Sequence, residues 1–248
     1  MTAEHHNPIA QFEITPIFSF DPVLGYNLSF TNSSLFMVLS VLGVWLFFTL
    51  AMRARATVPG RWQSLAEVTY QFVNGIVEEN AGTKARKYFP FIFTLFLFVL
   101  FGNLMGMLPY SFTITSHIIV TFALGALVFT GVTLIGMIHQ GPIKFFKHFI
   151  PEGLPMWIIP VVFVIELISF LSRPFSLGIR LAANMMAGHT LLKVIAGFVV
   201  PLGLFGIAPM VFLVLLTGFE VFIAILQAYI FTLLSSMYLA EALHDEEH

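Results

Sequence analysis

The last part of the chain, from about residue 156 to residue 239, is an apolar block too long for one membrane crossing. Taken as one helix, residues 156–199 would run roughly 65 Å at 1.5 Å per residue, about twice the thickness of the bilayer's hydrocarbon core. Residues 207–241 would run roughly 50 Å by the same rise. Two strongly tilted helices satisfy this length. So does a larger number of crossings, with breaks at Pro174/Gly178 and Pro201/Pro209. Prolines often kink membrane helices without ending them, so periodicity leaves both readings open.

The composition agrees with a chain built for lipid. Of its 248 residues, 58% are hydrophobic and 10% charged, where a soluble domain carries about 25% charged residues. The chain is therefore read as an all-α integral membrane protein, a single membrane domain over residues 1–248. A net charge of −2 gives no sign of nucleic-acid binding. The absence of cysteine excludes disulfides, thiol catalysis and Cys-based metal sites. The first residues lack Lys, Arg and an apolar core, so they do not read as a secretory signal or transit peptide.

Residues 1–33 are polar and rich in turn formers, which predicts an arm outside the membrane. The run Thr31-Asn32-Ser33-Ser34 offers N-caps for a first span at 35–52. Residues 62–87 differ: Leu65, Val68, Phe72, Ile76 and Val77 recur at helical spacing among Glu67, Gln71, Asn74 and Glu78, predicting an amphipathic interfacial helix. Spans follow at 89–108 and 117–138, joined by a turn at 109–116. A loop with Lys144, Lys147 and Pro151 leads to the long final helices, a hairpin over 156–241. The architecture is thus about five transmembrane helices plus one amphipathic helix.

Loop charge sets the orientation. Arg53, Arg55, Arg61, Lys84, Arg86 and Lys87 lie between the first two spans, and Lys144 and Lys147 between the third and fourth. The positive-inside rule places both loops in the cytoplasm, the N-terminus outside and the acidic tail at 244–248 in the cytoplasm.

Within the first long helix the polar residues Glu166, Ser169, Arg173, Ser176, Arg180 and Asn184 are three or four apart, so they share one face. The stripe extends about 27 Å at helical rise, close to the depth of the bilayer core. His189 falls on the opposite face at about 100° per residue. On the last helix Thr217, Glu220, Gln227 and Glu241 share a face. Ser169 and Ser176 have an ordinary reading as backbone-bonded membrane serines, and Glu166 could neutralise Arg173 two turns on. Arg180 has no acid within a turn and does not lose its proton, so it needs a carboxylate from another helix or chain. His189 and Glu220 can be tuned through the physiological range, which suits a proton relay.

Other chemistries lack their motifs. There is no phosphate-binding glycine loop and no H-E-x-x-H zinc pattern. His117, His139 and His189 show no haem pattern, and no cofactor is implied. Gly102 to Gly106 is a GxxxG, a weak packing signal.

The run SRPFSLGIRLAANMMAGH at 172–189 closely resembles the signature of subunit a of F-type ATP synthases, with GNLMGMLP at 102–109 and LQAYIF at 226–231 similar to two further blocks. The resemblance implies the proton-channel stator of a rotary motor, non-catalytic itself, with two offset half-channels coupling proton flow to ATP synthesis. It implies as partners a ring of small two-helix subunits bearing mid-membrane carboxylates, peripheral-stalk membrane subunits and the rest of the complex. Arg180 matches the essential arginine facing the ring carboxylates. Asn103, His189, Glu220 and Gln227 match the outside half-channel, and Glu166, Arg173, Ser176 and Asn184 the cytoplasmic one. Some members carry an acid at the position of His189 and a histidine at that of Glu220, so the pair is exchanged here. Gly106 stands where some members have an acid, and His117 is the candidate replacement. A bacterial inner membrane is implied ahead of an organellar one. The runner-up reading, a secondary proton-coupled transporter, predicts inverted repeats, and the two halves show no self-similarity.

Overall fold

A computed structural model describes residues 12–18, 29–53, 56–108, 111–147 and 155–243. Arg55, Pro151, the tail at 244–248 and most of the N-terminal arm lie outside the described residues. The described residues form the α-helices α1 (Asn32–Ala51), α2 (Arg61–Ala81), α3 (Phe89–Gly106), α4 (Ile118–Gln140), α5 (Pro142–Lys147), α6 (Ile159–Val199) and α7 (Ile207–Leu243). Among the described residues, five helical stretches are long and apolar enough to cross a membrane: Asn32–Ala51, Thr83–Gly106, Ile118–Gln140, Ile159–Val199 and Gly203–Leu243.

The open question of the long block has a definite answer. α6 is one helix of 41 residues with Pro174 inside it, about 61 Å long at helical rise. α7 has 37 residues and reaches about 56 Å. Pro174 removes one backbone donor, yet the helix continues through it.

The amphipathic segment is shorter than its periodicity predicts. α2 stops at Ala81 because Gly82 takes φ +68°, a left-handed conformation that glycine enters without penalty. A 3-10 segment, Thr83–Tyr88, then leads into α3. Of the five apolar positions, Ile76 and Val77 are buried while Leu65, Val68 and Phe72 stay exposed. The arm holds a feature the sequence did not suggest: strand β1 (Pro16–Phe18) pairs antiparallel with β2 (Phe30–Thr31). Thr31 caps α1 as expected, its Oγ1 accepting from the Ser34 amide at 3.3 Å.

The chain forms two compact units. The first comprises residues 1–55, 97–117 and 181–228. In it α1 meets α3 through Phe47 and Phe101, with ring centroids 6.0 Å apart. The second comprises residues 56–96, 118–180 and 229–248. There α2 rests on α3 through Tyr70 and Phe89, 4.8 Å between centroids. In the same unit α4 and α6 approach closely at Gly125, where a Cβ would stand 2.6 Å from the backbone oxygen of Pro174. In the first unit α6 and α7 run antiparallel, paired at Asn184 with Gln227 and at His189 with Glu220; in the second they meet at Arg173 and Glu241.

Candidate functional site

The first unit gathers six of the predicted residues: Asn103, His117, Asn184, His189, Glu220 and Gln227. Glu220, Ala224 and Gln227 lie four and three residues apart on α7, which puts them on one face, and all three are buried. Asn103 of α3 is wholly buried and donates from Nδ2 to the Ala224 carbonyl at 3.0 Å. Asn184 donates from Nδ2 to Oε1 of Gln227 at 2.9 Å. His189 reaches Glu220, with Nδ1 3.3 Å from Oε1. This is a close approach without the alignment of a hydrogen bond, since neither carboxyl oxygen of Glu220 has a hydrogen-bond partner among the described residues. A cavity of about 240 Å³ lies beside the pair, lined by Asn184, Gly188, Leu191, Phe219, Glu220 and Ile223. His117 stacks on Phe112, with centroids 4.9 Å apart and rings 16° from parallel.

The second unit holds Glu166, Arg173, Ser176 and Arg180. Arg173 forms an ion pair with Glu241 of α7. Its guanidinium also lies over the rings of Phe170 at 5.3 Å and Tyr238 at 4.8 Å, a cation–π arrangement that suits a delocalised charge. Glu166 is therefore not the acid that neutralises Arg173. Instead it lines a cavity of about 300 Å³ shared with Gln140, Arg173, Tyr238 and Glu241. Ser176 and Arg180 are exposed on α6 among the exposed apolar side chains Phe175 and Ile179. No acidic side chain pairs with Arg180 among the described residues.

Two groupings differ from the sequence reading. The resemblance places Asn184 with Glu166, Arg173 and Ser176, whereas its amide bonds Gln227 and lines the cavity beside Glu220. Glu241 and Tyr238 join the arginine cluster although only Glu241's helical face was legible. Thr113 was missed entirely: its hydroxyl contacts Nε2 of His189 at 2.8 Å. It sits in an irregular turn, where periodicity carries no signal.

A sequence model of the family described as ATP synthase A chain matches residues 34–240. The chain belongs to this family. It is 53% identical over 245 residues to a protein named ATP synthase subunit a from Paramagnetospirillum magneticum, covering 96% of this chain and 98% of that one. It is 49% identical over 237 residues to the protein of the same name from the Wolbachia of Drosophila simulans, covering 95% and 98%. A third, from Ehrlichia canis, is 48% identical over 240 residues, covering 96% and 98%. The family's match runs through both units, so both polar clusters, apart from Glu241, lie within family sequence.

Proposed function

We propose that this chain is the proton-translocating stator of the membrane sector of a bacterial F-type ATP synthase, coupling proton flow to ATP synthesis without catalysing it. The observation that carries the reading is Arg180: a permanent cation exposed on α6, flanked by exposed apolar side chains, with no acid paired to it among the described residues. An arginine at the bilayer centre costs about 2.5–3.5 kcal/mol on translocon scales. A carboxylate on a neighbouring chain removes that cost, and a ring of small subunits each bearing one would present a fresh partner at every step.

The outside half-channel is assigned to Asn103, His117, His189, Glu220 and Gln227, with Asn184 beside Gln227. The cytoplasmic half-channel is assigned to Glu166, Arg173 and Ser176, joined by Glu241 and Tyr238. Protons enter through one, load a ring carboxylate, and leave through the other after rotation. A neutral carboxyl can face lipid, whereas a carboxylate cannot cheaply do so. Arg180 draws the proton off each arriving carboxyl and blocks leakage between the two paths. One charge crossing 100 mV is worth about 2.3 kcal/mol, so several per turn can drive synthesis elsewhere in the complex. The partners are then the ring, the peripheral-stalk membrane subunits, the catalytic remainder and the bilayer. The N-terminus lies outside and the C-terminus in the cytoplasm. A secondary transporter finds no support in the family match.

The absence of native cysteine allows a clean test. Ser176→Cys and Asn184→Cys, each combined with a cysteine beside the ring carboxylate, should cross-link to the ring under mild oxidant. Cysteine at the buried positions Leu181 and Met185 should not. Equal cross-linking from both sets, or none from the first, would remove this face as the ring contact.

A further inference from the structure

Resting on that proton path, we propose that Thr113 is a positioning residue that fixes which nitrogen of His189 exchanges protons. The Thr113 hydroxyl lies 2.8 Å from Nε2 of His189. It also donates to the Gly106 carbonyl at 3.4 Å, and both side chains are buried. A hydroxyl has one proton and two lone pairs. With its proton given to the carbonyl, it can only accept from the imidazole, and this polarity alone uses both contacts. Nε2 therefore carries hydrogen, and in the neutral ring Nδ1 is left as the acceptor. Nδ1 is the nitrogen that faces Glu220, 3.3 Å from Oε1.

The exchange then runs on one side of the ring. Nδ1 takes a proton and becomes part of an imidazolium beside the Glu220 carboxylate. Passing that proton to Oε1 returns a neutral imidazole and a carboxylic acid. Proton and charge are conserved, and the Nε2 hydrogen stays with Thr113 throughout. Lys193, one turn along α6, is the other charged group that acts on the ring. Thr113 brings an uncharged acceptor, which holds the tautomer without adding a competing titration.

Gly106 supplies a second, independent observation. A Cβ there would stand 2.7 Å from Cγ2 and 2.8 Å from Oγ1 of Thr113. Glycine at 106 thus leaves the room that the hydroxyl of Thr113 occupies. Glycine at 106 and threonine at 113 form one device.

The test uses the whole complex in inverted vesicles, comparing Thr113→Val, Thr113→Ser and Gly106→Ala for ATP-driven proton pumping and ATP synthesis. Valine keeps the shape and removes the hydroxyl. It should lower both rates about tenfold or more, short of the roughly 10²–10⁴ that a proton-transfer group itself typically contributes, with the ring subunits still co-purifying. The pH dependence of synthesis on the outside face should shift, because the ring can then bind its proton at either nitrogen. Serine should restore most of the rate and the wild-type pH profile, and Gly106→Ala should behave as valine does. If Thr113→Val does not assemble, Thr113→Ala carries the same comparison. Wild-type rates in Thr113→Val, or equal losses in the valine and serine variants, overturn the proposal. Arg180→Ala separates the two levels. If it stops pumping while Thr113→Val pumps normally, only the role of Thr113 falls. If Arg180→Ala pumps normally, the stator reading falls and this proposal falls with it.

Discussion

Gly188 stands where a side chain would strike the carboxyl of Glu220: a Cβ at Gly188 would lie 2.6 Å from Oε1 and 2.9 Å from Cδ. The glycine keeps open the place that the acid occupies next to His189, one residue along α6. Gly188→Ala should therefore displace the carboxyl from His189, and pumping should fall about tenfold or more, since a displacement of about 1 Å in a reacting pair can cost 10²-fold. Adding Glu220→Asp, whose shorter side chain relieves the clash, should recover part of that loss. Proton pumping in vesicles reads both. A double variant no better than Gly188→Ala would show that the clash is not the cause.

Arg173 and Glu241 form an ion pair with the guanidinium between two rings. Glu241 is about half exposed, so solvent screening limits the pair to about 1 kcal/mol. The double-mutant cycle with Arg173→Gln and Glu241→Gln, followed by thermal unfolding in detergent, should give a coupling energy near that value. A coupling indistinguishable from zero would make the pair incidental.

Close helix approach makes a sharper demand at Gly125 than at Gly218. A Cβ at Gly125 would meet the Pro174 backbone oxygen at 2.6 Å, whereas one at Gly218 meets nothing within 4 Å. Gly125→Ala should destabilise by about 1–3 kcal/mol, the range for forced overpacking. Gly218→Ala should be neutral or stabilising by up to about 1 kcal/mol, because alanine is the better helix former. Thermal unfolding of the two variants side by side decides it, and equal effects would contradict the crossing described here.

Outside the spans, Glu78 accepts from Nε of Arg86 at 2.7 Å. That bond, with a second from Asn74, holds the carboxyl below its ordinary value of 4.5. A carboxyl depressed in the folded state contributes stability above the ordinary carboxylate range and loses it as pH falls through the lowered value. Hydrogen exchange at the Gly82–Ala85 turn, which the bond spans, should accelerate below that range at low salt. Glu78→Gln should remove the pH dependence. An unchanged acid limb in that variant would exclude Glu78 as its source.

Much of the architecture was legible because lipid imposes long apolar runs. The spans at 35–52, 89–108 and 117–138 differ from α1, α3 and α4 by only a few residues at their ends. The stripe on α6 was legible for the same reason, since a polar side chain in such a run stands out. What escaped depends on backbone conformation or on contacts between distant segments. Gly82 ends α2 through its φ, which no periodicity records. The partner of Arg173 is Glu241, at the far end of another helix, and local spacing offered Glu166 instead. Thr113 lies in the turn before the 3-10 segment Ile114–Ser116, where neither the helical nor the strand period applies. The Asn184–Gln227 bond joins two helices, a contact that spacing along one helix does not record.

Everything proposed for this chain turns on Arg180 as the coupling cation of the stator. ATP-driven proton pumping in inverted vesicles carrying Arg180→Ala tests it most directly, with ring co-purification measured in the same vesicles. Arg180→Ala should leave an assembled complex that hydrolyses ATP without acidifying the vesicle interior. Wild-type acidification by an assembled Arg180→Ala complex would contradict it.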